Sequence, residues 1–323
     1  MPLPTDQKAL ALSQDLLQAI DQISGLHPGH RPAHAKGVML SGMFRPSPQA
    51  ASLTRAPHLQ RETTPVTVRF SNSGGIPTVA DNDPNAASPR GIAIRFHLAE
   101  HAHTDIIGHS HNGFPVRTAE EFLALLRALA ASNAATTKPT PLESFLASHP
   151  KALEFVQAPK PIPTSFARES FFGVNAFRFT NQDGVSRYGR YRIIPAGGSE
   201  YLDESAAAAQ TANFLFDEIA ERITHGPVEL QVWVQLAESG DPVDDATALW
   251  PEDRPLLRFG TIVLTELVSE EDPEKRRIIF DPIPRIDGID PSGDPLLEPR
   301  ADVYLLSGRR RRAATEEGSK AWK

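Results

Sequence analysis

The chain contains no cysteine. That one absence excludes disulfides, thiol nucleophiles, Cys-ligated zinc, iron–sulfur clusters and thiolate-ligated haem. Positive charge is not in excess either: 33 Lys and Arg stand against 40 Asp and Glu, a net charge of −7. Without a basic field, no nucleic-acid partner is expected. Long apolar runs are missing, and stretches such as Ile262-Val-Leu fall far short of the ~20 residues that cross a bilayer, so no membrane partner is expected. The opening MPLPTDQKALALSQDLL sets acidic and amide residues where a signal peptide needs an unbroken apolar stretch, so the expected location is cytoplasmic. The Gly-x-Ser-x-Gly nucleophile elbow and the Gly-x-x-x-x-Gly-Lys phosphate loop are absent as well.

What is present is an ordinary globular mixture, 40% apolar and 23% charged over 323 residues. Its 29 prolines predict many short elements between fixed turns and argue against a helical bundle. Residues 5–24 carry Leu10, Leu12, Leu16, Leu17, Ile20 and Ile23 at helical spacing, with Gly25 as a stop. Period-two runs then predict strands over 37–44, 65–72, 91–98 and 104–108. A helix follows over 119–131, with Thr118 as N-cap, and two short helices are expected within 138–165. Strands resume at 173–181, 186–195, 228–237 and 259–268, around a helix over 206–225. A last helix is expected over about 294–310. The pattern predicts an α+β fold built on an eight-stranded antiparallel barrel with peripheral helices, the interior holding side chains or one edge of a ligand. The division expected is a helical arm over 1–26, the barrel domain over 27–312 and a flexible tail over 313–323.

Four stretches carry possible chemistry. In His30-Arg-Pro-Ala-His-Ala-Lys-Gly37, His34 lies where a loop turns into the first strand, three residues after Arg31. In Val68-Arg-Phe-Ser71, alternation points Arg69 and Ser71 to one face. Arg300 and Tyr304 stand at i, i+4, one above the other on a helix, where a guanidinium favours the phenolate. His97, His101, His103, His109 and His111 crowd a segment that reads as a solvated loop rather than a metal site, since no Glu-x-x-His accompanies them. Taken singly, each stretch also has a plain surface or packing explanation. The run Arg309–Arg312 reads as a basic helix C-terminus.

In order, these segments resemble the haem catalases, and most closely the shortened catalase-related peroxidases. The matching pieces are Arg31-Pro-Ala-His-Ala-Lys-Gly37, Pro65-Val-Thr-Val-Arg-Phe-Ser71, Ser88-Pro-Arg-Gly-Ile-Ala-Ile-Arg-Phe96 and Thr104-Asp-Ile-Ile-Gly108. Gly173-Val-Asn-Ala-Phe-Arg-Phe179, Tyr188-Gly-Arg-Tyr-Arg192, Phe280-Asp-Pro-Ile-Pro284 and Asp294-Pro-Leu-Leu-Glu-Pro-Arg-Ala-Asp-Val-Tyr304 continue it. The resemblance implies the catalase-like core without a C-terminal helical extension, and haem b as cofactor. It makes His34 the distal histidine, Ser71 its hydrogen-bonding partner, Tyr304 the iron ligand and Arg300 the arginine beside that phenol. Arg31, Arg69 and Arg311 match arginines that pair with haem propionates, and Phe114 a distal-side phenylalanine. One departure stands out: His109 occupies the place of the family's distal asparagine, while Asn112 lies three residues on, where a small loop shift would bring it back to that place.

The activity implied is a peroxidase that reduces hydrogen peroxide or organic peroxides with a small organic electron donor, with weak catalase activity. The alternatives are a true catalase, a haem enzyme converting fatty-acid hydroperoxides, and, from another class, a non-catalytic lipocalin-like carrier. Lipocalins place a tryptophan near the first strand, whereas Trp233, Trp250 and Trp322 all come late. A monomer or homodimer is expected.

Overall fold

A computed structural model describes residues 3–269 and 277–320, with side chains to residue 314. Helix α1 (Gln7–Ser24) starts at Asp6, whose carboxylate accepts from the Lys8 amide at 3.0 Å. Four strands follow: β1 (Gly37–Pro46), β2 (Thr64–Ser71), β3 (Gly91–Ala99) and β4 (Ala102–His109). Then come α2 (Ala119–Ser132), α3 (Pro141–Ser148) and α4 (Pro150–Gln157), the first two opened by capping boxes in which Thr118 pairs with Glu121 and Thr140 with Glu143. The second half carries β5 (Ile162–Pro163), β6 (Phe171–Phe172), β7 (Phe177–Thr180), β8 (Ser186–Pro195) and β9 (Tyr201–Leu202). It continues through α5 (Glu204–Ala208), α6 (Phe214–His225), β10 (Val228–Leu236), β11 (Leu256–Val268), β12 (Ile289–Pro291) and α7 (Leu297–Lys320).

The strands run in the order β10–β11–β1–β2–β3–β4–β6–β8, and β8 pairs back onto β10. Eight antiparallel strands therefore close into a barrel, and closure leaves no edge to aggregate. β7 extends from β8 as a hairpin and takes β12 on its far side, while β5 and β9 form a separate pair. Alternation sends Leu40, Phe44, Val68, Phe70, Ile94, Phe96, Val232 and Phe259 inward. Phe44 meets Phe96 edge-on at 5.1 Å and Tyr191 meets Phe259 at 5.6 Å, so the interior is filled by side chains. The polar site residues gather on the outer face, not inside the barrel.

Four elements differ from their sequence reading. The run 173–181 is not one strand, because Asn175 turns its side chain to Asp294 (2.7 Å) and the chain re-enters the sheet only at Phe177. The helix over 206–225 is broken: the Ala212 carbonyl accepts from Lys36 Nζ (2.9 Å) and from the Asp81 amide (2.9 Å) instead of continuing a helical ladder. The histidine-rich segment is strand at both ends, with His97 opposite His103. Finally, α7 runs through Arg309–Arg312 to Lys320, and residues 321–323 of the expected tail lie outside the described residues. The arginines are anchored rather than frayed. Arg310 pairs with Asp21 of α1, and Arg311 and Arg312 donate to the carbonyls of Ile278 and Arg277, each at 2.8 Å. Among the described residues, no helix is long and apolar enough to cross a membrane.

One polar side chain lies within the aromatic interior. His58 is 1% exposed, rests 4.8 Å from Phe96, and its Nδ1 has no hydrogen-bond partner. Burial, then the charge of Arg61, pushes its imidazole down to about 3. An unfolded imidazole titrates near 6.5, so between about pH 6.5 and 3 only the unfolded chain takes up this proton. The stability is intact above that window and is lost as pH falls through it. Between pH 6.5 and 5 this residue is expected to cost about 2 kcal/mol. In urea titrations at pH 7, 6 and 5, His58→Leu should lose stability less steeply than wild type, and equal slopes would refute the assignment.

Candidate functional site

The register across the first four strands builds one side of the site. Gly37 pairs with Ser71, Ser71 with Gly91, and Gly91 with His109, a single row on the outer face. His34 folds over this row from the preceding loop. Its backbone takes a left-handed φ of 55°, rare outside glycine, and the amides of His34 and Ala35 donate to the carbonyls of Ser73 and Gly74 at 2.9 and 3.0 Å. The imidazole Nδ1 meets Ser71 Oγ at 3.0 Å. Two glycines leave room for this arrangement. A Cβ at Gly91 would lie 2.7 Å from both His34 Nδ1 and Ser71 Oγ, and one at Gly37 would lie 2.2 Å from the Arg69 guanidinium.

A buried carboxylate fixes the two chain segments that carry His34 and Ser71. Asp81 is fully buried and accepts from Lys36 Nζ (2.7 Å), Asn72 Nδ2 (2.7 Å) and the Leu215 amide (2.9 Å). Lys36 and Asn72 follow His34 and Ser71 closely in sequence, so the network ties both to the start of α6. Such a charge is tolerable only because its oxygens are so fully occupied.

Three arginines converge beside the histidine. Arg69 donates to the carbonyls of His34 (2.8 Å) and Ala35 (3.3 Å). Arg31 and Arg311, at opposite ends of the chain, both donate to the carbonyl of Ile278, at 3.1 and 2.8 Å. Burial, then the charges of Arg69 and Arg311, disfavours the cationic form of Arg31. Burial, then Arg69, Arg31 and Arg300, pushes His34 down to about 4. For His109 burial comes first, then His111, Arg300 and His34, and its imidazole falls to about 3. Both rings are therefore neutral at pH 7.

The opposite element is α7. Leu297 and Ala301 pack on the barrel core, while Val303 and Tyr304 face Leu16 and Ala19 of α1 and Leu123 and Leu126 of α2. Arg300 Nη2 donates to the Tyr304 hydroxyl at 3.3 Å, as the i, i+4 spacing predicts. Its other terminal nitrogen donates to Asn175 Oδ1. The same guanidinium is close enough to both His34 and His109 to perturb their titration.

The fold thus gathers His34, Ser71, His109, Arg31, Arg69, Arg311, Arg300 and Tyr304 into one region. Phe114 sits in a neighbouring apolar cluster, 5.1 Å from Phe122 and packed on Val174, Ala246 and Leu296. Among the described residues, no group of three His, Asp or Glu could hold a metal ion. Sequence reasoning missed the roles of Gly91, Asp81 and Asn175. For Gly91 the signal was its position inside a quoted motif, and for Asn175 an amide interrupting a run of strand formers.

The sequence profile of the Catalase family matches residues 8–317. A protein named "Catalase-related peroxidase" from Mycolicibacterium paratuberculosis is 35% identical over 310 residues, covering 94% of this chain and 96% of its own length. A second of that name, from Synechococcus elongatus, is 33% identical over 300 residues and covers 92% and 87%. A crystal structure of a fungal catalase superposes with a TM-score of 0.77 at 22% identity, over 92% of this chain and 62% of that one, a likeness of fold. With the profile spanning almost its whole length, the chain belongs to the catalase family.

Proposed function

We propose that this chain is a haem-dependent peroxidase that reduces hydrogen peroxide or organic peroxides with a small organic donor. The observation that carries the proposal is Arg300, which holds the Tyr304 hydroxyl while its charge reaches His34 and His109. The donor set fits haem b. It offers a phenol oxygen of the kind that ligates catalase haem, three arginines suited to two propionates, and a neutral imidazole with no Cβ at Gly91 to crowd it. Tyr304 would hold the iron, and Arg31, Arg69 and Arg311 the carboxylates. A bound haem supplies the redox centre that takes up the oxidising equivalents of peroxide and passes them to a donor.

The remaining chemistry belongs to side chains. With Nδ1 donating to Ser71, His34 presents a basic Nε2, which accepts a proton from one peroxide oxygen and delivers it to the other. The His111 amide donates to His109 Nδ1 at 3.3 Å, which leaves a neutral His109 ring with its proton on Nε2, a donor able to orient peroxide. Arg300 places positive charge beside the oxygen that would carry negative charge as a ligand.

Four outcomes test this reading. Haem titrated into Tyr304→Phe should give little or no Soret band where wild type gives a strong one. If wild type also gave none, every haem reading would fall and a carrier would remain. His34→Ala should keep its haem yet lose peroxide turnover by about 10²–10⁴-fold, the usual worth of a general base. Wild type should consume peroxide much faster with a phenolic or aromatic-amine donor than without. Brisk oxygen release without donor would make it a catalase, and donor-free rearrangement of a fatty-acid hydroperoxide would make it a converting enzyme. Gly91→Ala, which forces a methyl into His34 and Ser71, should retain haem and lose activity by about tenfold or more; unchanged turnover would show that the His34–Ser71 geometry is not limiting.

A further inference from the structure

We propose that Arg95 and Asp105 are positioning residues: their ion pair anchors residues 277–281 against the barrel, so that the Ile278 carbonyl holds Arg31 and Arg311 together. The inference rests on the proposed function only for the carboxylates that those two arginines then receive. Arg95 of β3 and Asp105 of β4 stand directly opposite each other on the outer face, since their neighbours Ile94, Phe96 and Ile106 fill the barrel. Both are buried, and the pair is bidentate, with Nε on Oδ1 at 2.8 Å and Nη2 on Oδ2 at 2.7 Å. Residues 278–281 belong to no helix or strand, so their peptide groups find partners elsewhere. The ion pair supplies two. Arg95 Nη2 also donates to the Ile279 carbonyl (2.5 Å), and Asp105 Oδ2 also accepts from the Asp281 amide (2.7 Å). One donor and one acceptor thus bracket Phe280, whose ring lies 5.3 Å from the Arg95 guanidinium.

The other side of this run meets α7. A Cβ at Gly308 would lie 2.2 Å from Ile279 Cδ1, so the isoleucine sits where that glycine leaves room. One residue earlier, the Ile278 carbonyl accepts from Arg31 Nη2 at 3.1 Å and from Arg311 Nη2 at 2.8 Å. Two cations share one neutral acceptor, and their repulsion works to part them. A carbonyl on a loose segment would follow one arginine and release the other. The ion pair prevents that by fixing the next peptide group. Asp281 secures the far end, its carboxylate accepting from the Ile283 amide (3.0 Å) and from Arg285 Nε (2.7 Å). The direction of the pair matters as much as its strength. Exchanged in place, the same two side chains would set a carboxylate against the Ile279 oxygen and a guanidinium against the Asp281 N–H, and neither contact is a hydrogen bond.

The test uses the full-length chain and reads hydrogen exchange of the Asp281 amide together with phenylglyoxal labelling of Arg31 and Arg311. In wild type that amide should exchange at least about tenfold more slowly than an unprotected one, as a bond to a buried carboxylate requires. Unprotected exchange there would overturn the proposal. The double variant Arg95→Asp with Asp105→Arg keeps an ion pair in the barrel wall. It should nevertheless speed Asp281 exchange and the labelling of both arginines by about tenfold, and weaken haem binding by a similar factor. A purely structural pair would be restored by the exchange, so wild-type protection and labelling in the folded double variant would overturn the proposal. If it does not fold, Asp105→Asn, which keeps the shape and loses the charge, carries the same expectation and the same refutation. Failure of both to fold would make the pair a requirement of the barrel itself and overturn the proposal too. Unaltered haem affinity beside faster exchange would remove the link to the arginines and refute it as well. Should wild type bind no haem, the proposed function fails, while exchange and labelling still decide the role of Arg95 and Asp105.

Discussion

The site depends on a shared register. Because β1, β2, β3 and β4 pair without a slip at this end, Gly37, Ser71, Gly91 and His109 fall side by side on one face. A displacement of one residue in β2 would send Ser71 inward and Phe70 out, breaking the stacked contact of Phe70 with Phe166 at 5.3 Å. Hydrophobic burial thus enforces the geometry of the candidate site: the inward face selects the register and the outward face inherits it. Two of the four places in the row have no side chain, and that is where Arg69 and His34 find their space. The Asp81 network completes the constraint by tying the residues after His34 and Ser71 to a helix from the other half of the chain.

Charge is distributed with the same logic. Away from the site, Arg95 pairs with Asp105 at 2.7 Å and Arg254 with Asp241 at 2.8 Å, while the buried Arg90, Arg190 and Arg192 donate to backbone carbonyls and side-chain amides. At the site, Arg31, Arg69 and Arg311 reach backbone carbonyls and crowd one another. Burial opposes such a concentration of like charge, and in the proposed function an anionic ligand with two carboxylates would relieve it. The same positive field helps keep His34 neutral. In the proposed function one cluster would therefore serve two needs, the reception of an acidic cofactor and a base that stays unprotonated.

The barrel was legible because apolar and polar residues alternate along strands such as Val66-Thr-Val-Arg-Phe-Ser71, and because turns of Gly, Pro and Asn separate them. Arg300 and Tyr304 were legible too, since i, i+4 on a helix is a local relation. What escaped was set by contacts distant in sequence. The break before α6 exists because Ala212 gives its carbonyl to Lys36 and to the Asp81 amide, and nothing in residues 206–225 records those partners. Helix α7 passes beyond Arg310 because its arginines find Asp21 and the carbonyls of Arg277 and Ile278. Gly91 reads as an ordinary strand-opening glycine until His34, far upstream, is seen to occupy the space its Cβ would need.

In the proposed function His109 would stand where the resemblance places a distal asparagine, a departure that would preserve polarity while changing chemistry. An asparagine amide presents both a donor and an acceptor and can turn. A neutral imidazole whose Nδ1 is occupied by the His111 amide presents only a donor, Nε2–H, on a ring fixed at the end of β4. In the tautomer whose Nδ1 donates to Ser71 Oγ, His34 has the complementary character, with a lone pair at Nε2. In the proposed reaction a peroxide between them meets one acceptor and one donor, which defines its orientation and the direction of its proton. The division holds only while both rings stay neutral, and the charges around them favour that state: Arg300 disfavours protonation of either ring, and each cation added to the pocket makes a second one harder to form. In the proposed function, a second histidine in place of the amide would therefore remove adaptability from the site without adding a competing base at neutral pH.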